Sequence, residues 1–207
     1  MQKVLITIFL WILLTITNCL YAQIYTYDVI VLGKKIGKVI TNKRHTLNEI
    51  IYTSDSKSEV SFFGKKRIIT EMKTVYKKGV LNTSFYKVTK NNKVKELAEI
   101  RKENEIYSVI TDGKKTIHSS PVSMSTIVLT YKKPRDGELV FEEVGGYYKK
   151  IKKISDTQFD LISDRSRHRD SYYYNEKGML TKCIVRKTLF NFQMILNQEK
   201  KLPTSKL

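Results

Sequence analysis

The chain has 207 residues, with 38 Lys and Arg against 20 Asp and Glu, a formal charge of +18 at pH 7, and only 3 prolines and 2 cysteines. That length fits one domain with its own core, and a composition 41% hydrophobic and 11% aromatic excludes a disordered chain. So few cysteines exclude a disulfide scaffold.

The chain opens MQK, continues VLITIFLWILLTIT and reaches NCLYAQ. A basic start, an apolar stretch and a small residue are the layout of a secretory signal. Residues 1–22 are therefore read as a signal peptide cleaved between Ala22 and Gln23, with residues 23–207 as a single β-rich domain, periplasmic or secreted. Val4 to Thr17 is short for a span that needs about 20 residues, so no permanent membrane span is expected after cleavage. A lipidated Cys19 is disfavoured because Asn18 stands where such signals carry a small residue. Cleavage would remove Cys19 and the single tryptophan, Trp11, leaving Cys183 as a small buried apolar residue.

In chain order, Tyr25, Tyr27, Val29 and Val31 alternate with Thr26 and Asp28, the pattern of a strand with one buried face. Next comes GKKIGKV, residues 33–39, which looks like a phosphate loop. Such a loop needs four residues between its glycines and a Ser or Thr after the lysine; here three residues separate Gly33 from Gly37, and Val39 stands where the hydroxyl must be. Gly33-Lys34-Lys35 reads instead as the turn of a first hairpin. Further turn chemistry recurs at Lys77-Lys78-Gly79, Asn91-Asn92-Lys93, Thr111-Asp112-Gly113-Lys114 and Asn175-Glu176-Lys177-Gly178. Between them Ser119-Ser120-Pro121, followed by apolar residues at 124, 127, 128 and 131, predicts a helix over about 120–131. Strands resume at Leu139-Val140-Phe141, and Phe190, Phe192, Met194 and Leu196 alternate with polar residues near the end. The fold class expected is mainly β: a curved antiparallel meander sheet or half-open barrel with one short helix.

Chemistry is sparse. His45, His118 and His168 lie in separate segments without metal-ligand spacing, and Glu142-Glu143, adjacent on a strand, send their carboxylates to opposite faces, one solvated and one paired with a lysine. No catalytic residue, metal or cofactor is expected, and the protein is read as not an enzyme. The basic run Arg165, Arg167, His168, Arg169 before Tyr172-Tyr173-Tyr174 is the densest cationic patch. Export sets nucleic acid aside, so Arg165, Arg167 and Arg169 are candidate ligands for an anionic envelope polymer. Lysine doublets in turns also serve solubility and guard strand edges.

Tyr27-Asp28-Val29 with Gly33-Lys34-Lys35-Ile36-Gly37, then Ile51-Tyr52-Thr53-Ser54-Asp55-Ser56, Tyr76-Lys77-Lys78-Gly79-Val80-Leu81 and Tyr174-Asn175-Glu176-Lys177-Gly178-Met179-Leu180, resembles a family of small exported bacterial proteins known only as a domain of unknown function. The likeness runs from about residue 24 to 196 and implies no activity. More loosely, the order of strands looks like the periplasmic lipoprotein-carrier folds, whose half-open barrels hold acyl chains. That analogy implies a lipid-like ligand in a groove lined by Met124, Ile127, Phe190, Phe192 and Met194, although such residues also suit a core. The alternative expectation is an interaction protein that binds anionic envelope surfaces through its basic face.

Overall fold

The computed structural model describes residues 22–61, 64, 66–165, 169–186 and 191–201. The expected signal segment, Ala22 apart, lies outside these residues. The chain forms one 14-stranded antiparallel sheet. A first meander comprises β1 (Ala22–Val31), β2 (Lys34–His45), β3 (Glu49–Val60), β4 (Lys66–Lys77), β5 (Val80–Lys90), β6 (Lys93–Glu103), β7 (Ile106–Thr111) and β8 (Lys114–His118). A second comprises β9 (Leu139–Glu142), β10 (Tyr147–Lys153), β11 (Gln158–Ile162), β12 (Arg169–Tyr174), β13 (Leu180–Arg186) and β14 (Asn191–Lys201). β14 returns to pair with β1, so β8 and β9, neighbours in sequence, are the two opposite edges of the sheet.

Hairpin turns set this register. Leu32-Gly33, Lys78-Gly79, Asn91-Asn92 and Asp112-Gly113 all have positive φ at both residues, the tight two-residue turn whose twist matches that of the flanking strands. The GKKIGKV stretch is thereby explained, with the turn one residue earlier than the sequence suggested because Lys34 already pairs with Val31. Its second glycine serves another purpose: a Cβ on Gly37 would lie 2.2 Å from the Lys57 carbonyl oxygen and 2.7 Å from the Ser58 Cα. β2 and β3 approach too closely there for any side chain. Gly37→Ala is expected to cost about 2 kcal/mol or more in denaturant unfolding, because backbone must move, whereas Gly33→Ala, with open space around its Cβ, costs only the left-handed strain of about 1 kcal/mol.

The sheet curls until its ends overlap. Thr111 Oγ1 donates to the Val144 carbonyl at 3.0 Å, and His118 packs against Phe141 and Tyr148 with ring centroids 5.5 and 5.2 Å away. Phe141 and Tyr148 point away from the side carrying Val140 and Ile151, which face the core. The β7–β8 hairpin therefore laps over the outside of β9–β10, and aromatic packing closes the seam in place of backbone pairing.

The segment between β8 and β9 crosses the interior from one edge to the other. The Leu81 amide donates to the Val122 carbonyl at 2.8 Å, the Phe141 amide donates to the Met124 carbonyl at 2.9 Å, and Ser125 bridges Phe141 in parallel fashion. Only Thr126–Thr130 is helical, as a single 3-10 turn; the longer helix expected over 120–131 does not form. Residues 122–125 instead find extended backbone partners on both sides, and the β-branched Val122, Thr126, Ile127 and Val128 give up little by leaving the helix.

Candidate functional site

Tyrosines fix the crossing segment. The Tyr76 hydroxyl donates to Ser125 Oγ at 2.7 Å, Tyr174 to the Leu129 carbonyl at 2.8 Å and Tyr148 to the Pro121 carbonyl at 3.3 Å. The Val122 amide donates to the Tyr107 hydroxyl at 3.3 Å. Tyr131 stacks on Tyr25 at 5.2 Å and lies 5.5 Å from Tyr52. Burial pushes the Tyr52 hydroxyl up to about 12 and that of Tyr76 further, so these hydroxyls stay protonated throughout the neutral range.

The start of the 3-10 turn rests on Glu143, which is 1% exposed. Its carboxylate accepts from the Thr126 amide at 3.1 Å and the Ile127 amide at 3.4 Å, and also from the Thr126 hydroxyl. Burial raises its pKa, with the bonds from Ser125 and Thr126 acting the other way. The adjacent acids thus divide unequally. Glu142 takes the lysine, Lys149 at 3.4 Å, while Glu143, instead of the solvated partner the sequence suggests, is enclosed against the start of the 3-10 turn.

On β4 and β5, burial along the inner face falls toward one end. On β4, Tyr76 and Thr74 are buried, then Met72 and Thr70 are half-buried; on β5, Leu81 and Ser84 are buried, then Tyr86 and Val88 are half-buried. On β3 Tyr52 is buried and Ser54 and Ser56 are half-buried, but Ser58 beyond them is buried again, and β1 stays buried as far as Val31. The crossing segment fills the half nearer Tyr76 and leaves the other half of the wall partly open. Facing that open half from β13 and β14 are Val185, Phe192 and Met194, each half-buried and packed at the margin of the core.

A polar corner completes it. Lys149 Nζ lies 3.4 Å from Glu142 and 3.7 Å from Asp170, and the Arg165 guanidinium sits 4.6 Å over the ring of Tyr147. Burial raises the pKa of Tyr86, and the charges of Glu96 and Glu142 raise it further. One apolar wall and one charge-neutralised corner suit a molecule with an apolar body and a polar end.

The candidate residues from sequence separate accordingly. Met124 and Ile127 are 2% and 5% exposed inside the crossing segment, whereas Phe192 and Met194 line the open half. Phe190 lies outside the described residues. Among the basic candidates, Arg165 covers Tyr147, Arg169 lies 3.7 Å from Asp160, and Arg167, like His168, lies outside the described residues. Sequence reasoning missed Met72, Tyr86 and Val88: their face of β4 and β5 also carries Thr70, Thr74 and Ser84, so no run of apolar alternation marks it.

A single antiparallel sheet curled on itself and closed by side chains is a β-barrel-like fold. The structure is similar to the crystal structure of a beta-barrel-like protein of domain of unknown function DUF1849 from Brucella abortus, with a TM-score of 0.58 at 8% identity, covering 89% of this chain and 99% of that one. At that identity the likeness shows the fold alone. Residues 27–197 match the family described as domain of unknown function DUF6134, and the chain belongs to that family. No curated protein matches it.

Proposed function

We propose that this is an exported, non-enzymatic protein that holds a lipid-like ligand against the open half of its curled sheet. The fall in burial from Tyr76 to Met72 and from Ser84 to Tyr86 and Val88 carries this reading, because half-buried apolar side chains facing inward are what an apolar ligand would cover. Val185, Phe192 and Met194 form the opposite wall, and the corner at Lys149 and Tyr147 takes the polar end.

Native mass spectrometry of residues 23–207, purified from an envelope fraction without detergent, tests it. A discrete adduct of lipid mass is expected. A chain that is bare as purified, and remains bare when offered lipids, contradicts the reading.

A further inference from the structure

The connections after β1, β3, β5, β7, β9, β11 and β13 all fall at one end of the sheet, the end where the inner wall is open. Exposed apolar side chains stand there: Leu32 in the β1–β2 turn is 67% exposed, and Val94, in β6 beside the β5–β6 turn, is 58% exposed; at the opposite end Leu47, between β2 and β3, is 84% exposed. Leu32 is also held at φ 50, the left-handed region that a branched apolar side chain resists and that Gly, Asn or Asp would occupy without strain. A residue that breaks the turn rule and gains no burial has no structural reason to be leucine.

The same rim is cationic. Lys66, Arg67, Lys90, Lys93, Lys95, Lys114 and Lys115 flank its turns, and none has an ion pair among the described residues. At the opposite end Lys77 is matched to Glu49 at 3.0 Å, Lys102 to Glu105 at 3.6 Å, Lys132 to Glu138 at 3.7 Å and Lys153 to Asp156 at 2.7 Å, while Arg44, Lys78 and Lys177 carry no ion pair among the described residues, and on the rim Lys35 is paired with Asp28 at 2.8 Å. Uncompensated positive charge set around protruding apolar tips is complementary to a bilayer surface of anionic lipids, with headgroups for the lysines and the acyl boundary for Leu32 and Val94.

We propose that this rim docks the protein on an anionic membrane surface, with the Leu32 and Val94 tips inserted at the interface. Docking would set the open half of the sheet toward the lipid, but the inference stands on the rim alone and does not require a ligand inside.

Flotation with vesicles of phosphatidylcholine, with and without phosphatidylglycerol, tests it, using soluble polyphosphate as a competitor. The intact protein is expected to float only with the anionic vesicles. Lys90→Glu with Lys93→Glu should weaken binding by an order of magnitude or more. Leu32→Asn should weaken it about tenfold while raising the thermal midpoint by a few degrees, since Asn accepts the left-handed turn. Retained lipid adducts in Leu32→Asn would confirm that docking is separate from ligand binding. Flotation unchanged in Leu32→Asn, or polyphosphate bound in preference to anionic vesicles, would overturn membrane docking in favour of a purely electrostatic surface for soluble polyanions.

Discussion

Glu143→Ala is expected to destabilise the protein by about 3 kcal/mol, because it strips the acceptor from the buried amides of Thr126 and Ile127 and from the Thr126 hydroxyl at once. Glu143→Gln keeps an acceptor oxygen and the volume, so it should lose less. Both variants also change the pH dependence. Because burial raises the folded-state pKa of Glu143 above its ordinary 4.5, the folded protein holds this proton more tightly than the unfolded chain. Its contribution to stability is greatest below about 4.5 and falls as the pH rises through the raised value. Glu143→Gln cannot lose a proton and should flatten that part of the profile. Urea unfolding at several pH values measures both effects, and a Gln variant as pH-dependent as the parent would show that Glu143 is not the titrating group.

Met124→Lys and Met194→Lys should part company. Met124 is 2% exposed inside the crossing segment, and its carbonyl holds Phe141, so a lysine there buries an unpaired charge and is expected to prevent folding, at a cost of several kcal/mol. Met194 sits half-buried on β14 beside the open half, where a lysine can extend its ammonium toward the corner of Glu142 and Asp170 or into solvent. That variant should fold, keep its circular dichroism and lose the lipid adduct. If both fold and both keep the adduct, the open half is not where the ligand lies.

Much of the sheet is legible from local rules. Turn glycines and asparagines mark the hairpins, and the alternation of β1 and β14 shows which side faces inward, since both signals depend only on neighbouring residues. The overlap of the sheet ends is not legible, because His118, Phe141 and Tyr148 meet through a contact between strands at opposite edges. The helix was over-read for the same reason: Pro121 and the spacing of Met124, Ile127 and Val128 satisfy a local pattern, while Leu81 and Phe141 offer distant backbone partners that favour an extended chain. Of the candidate groove residues, Phe192 and Met194, which the alternation of β14 marks, lie half-buried on that strand. Alternation could not tell that Met124 and Ile127 belong to the segment that fills the interior rather than to the wall around the open part.

Residues 23–207 contain no tryptophan, so a single reporter can be placed where the ligand is proposed to sit. The most direct measurement is tryptophan emission of the Phe192→Trp variant of residues 23–207, titrated with monomeric stearate brominated along its chain. The same substitution at Ile154, 46% exposed at the opposite end, serves as the control. Saturable quenching of the Phe192→Trp variant, with Ile154→Trp unaffected, is the expected result. Equal quenching of both, or none at either, would contradict an apolar ligand in the open half of the sheet.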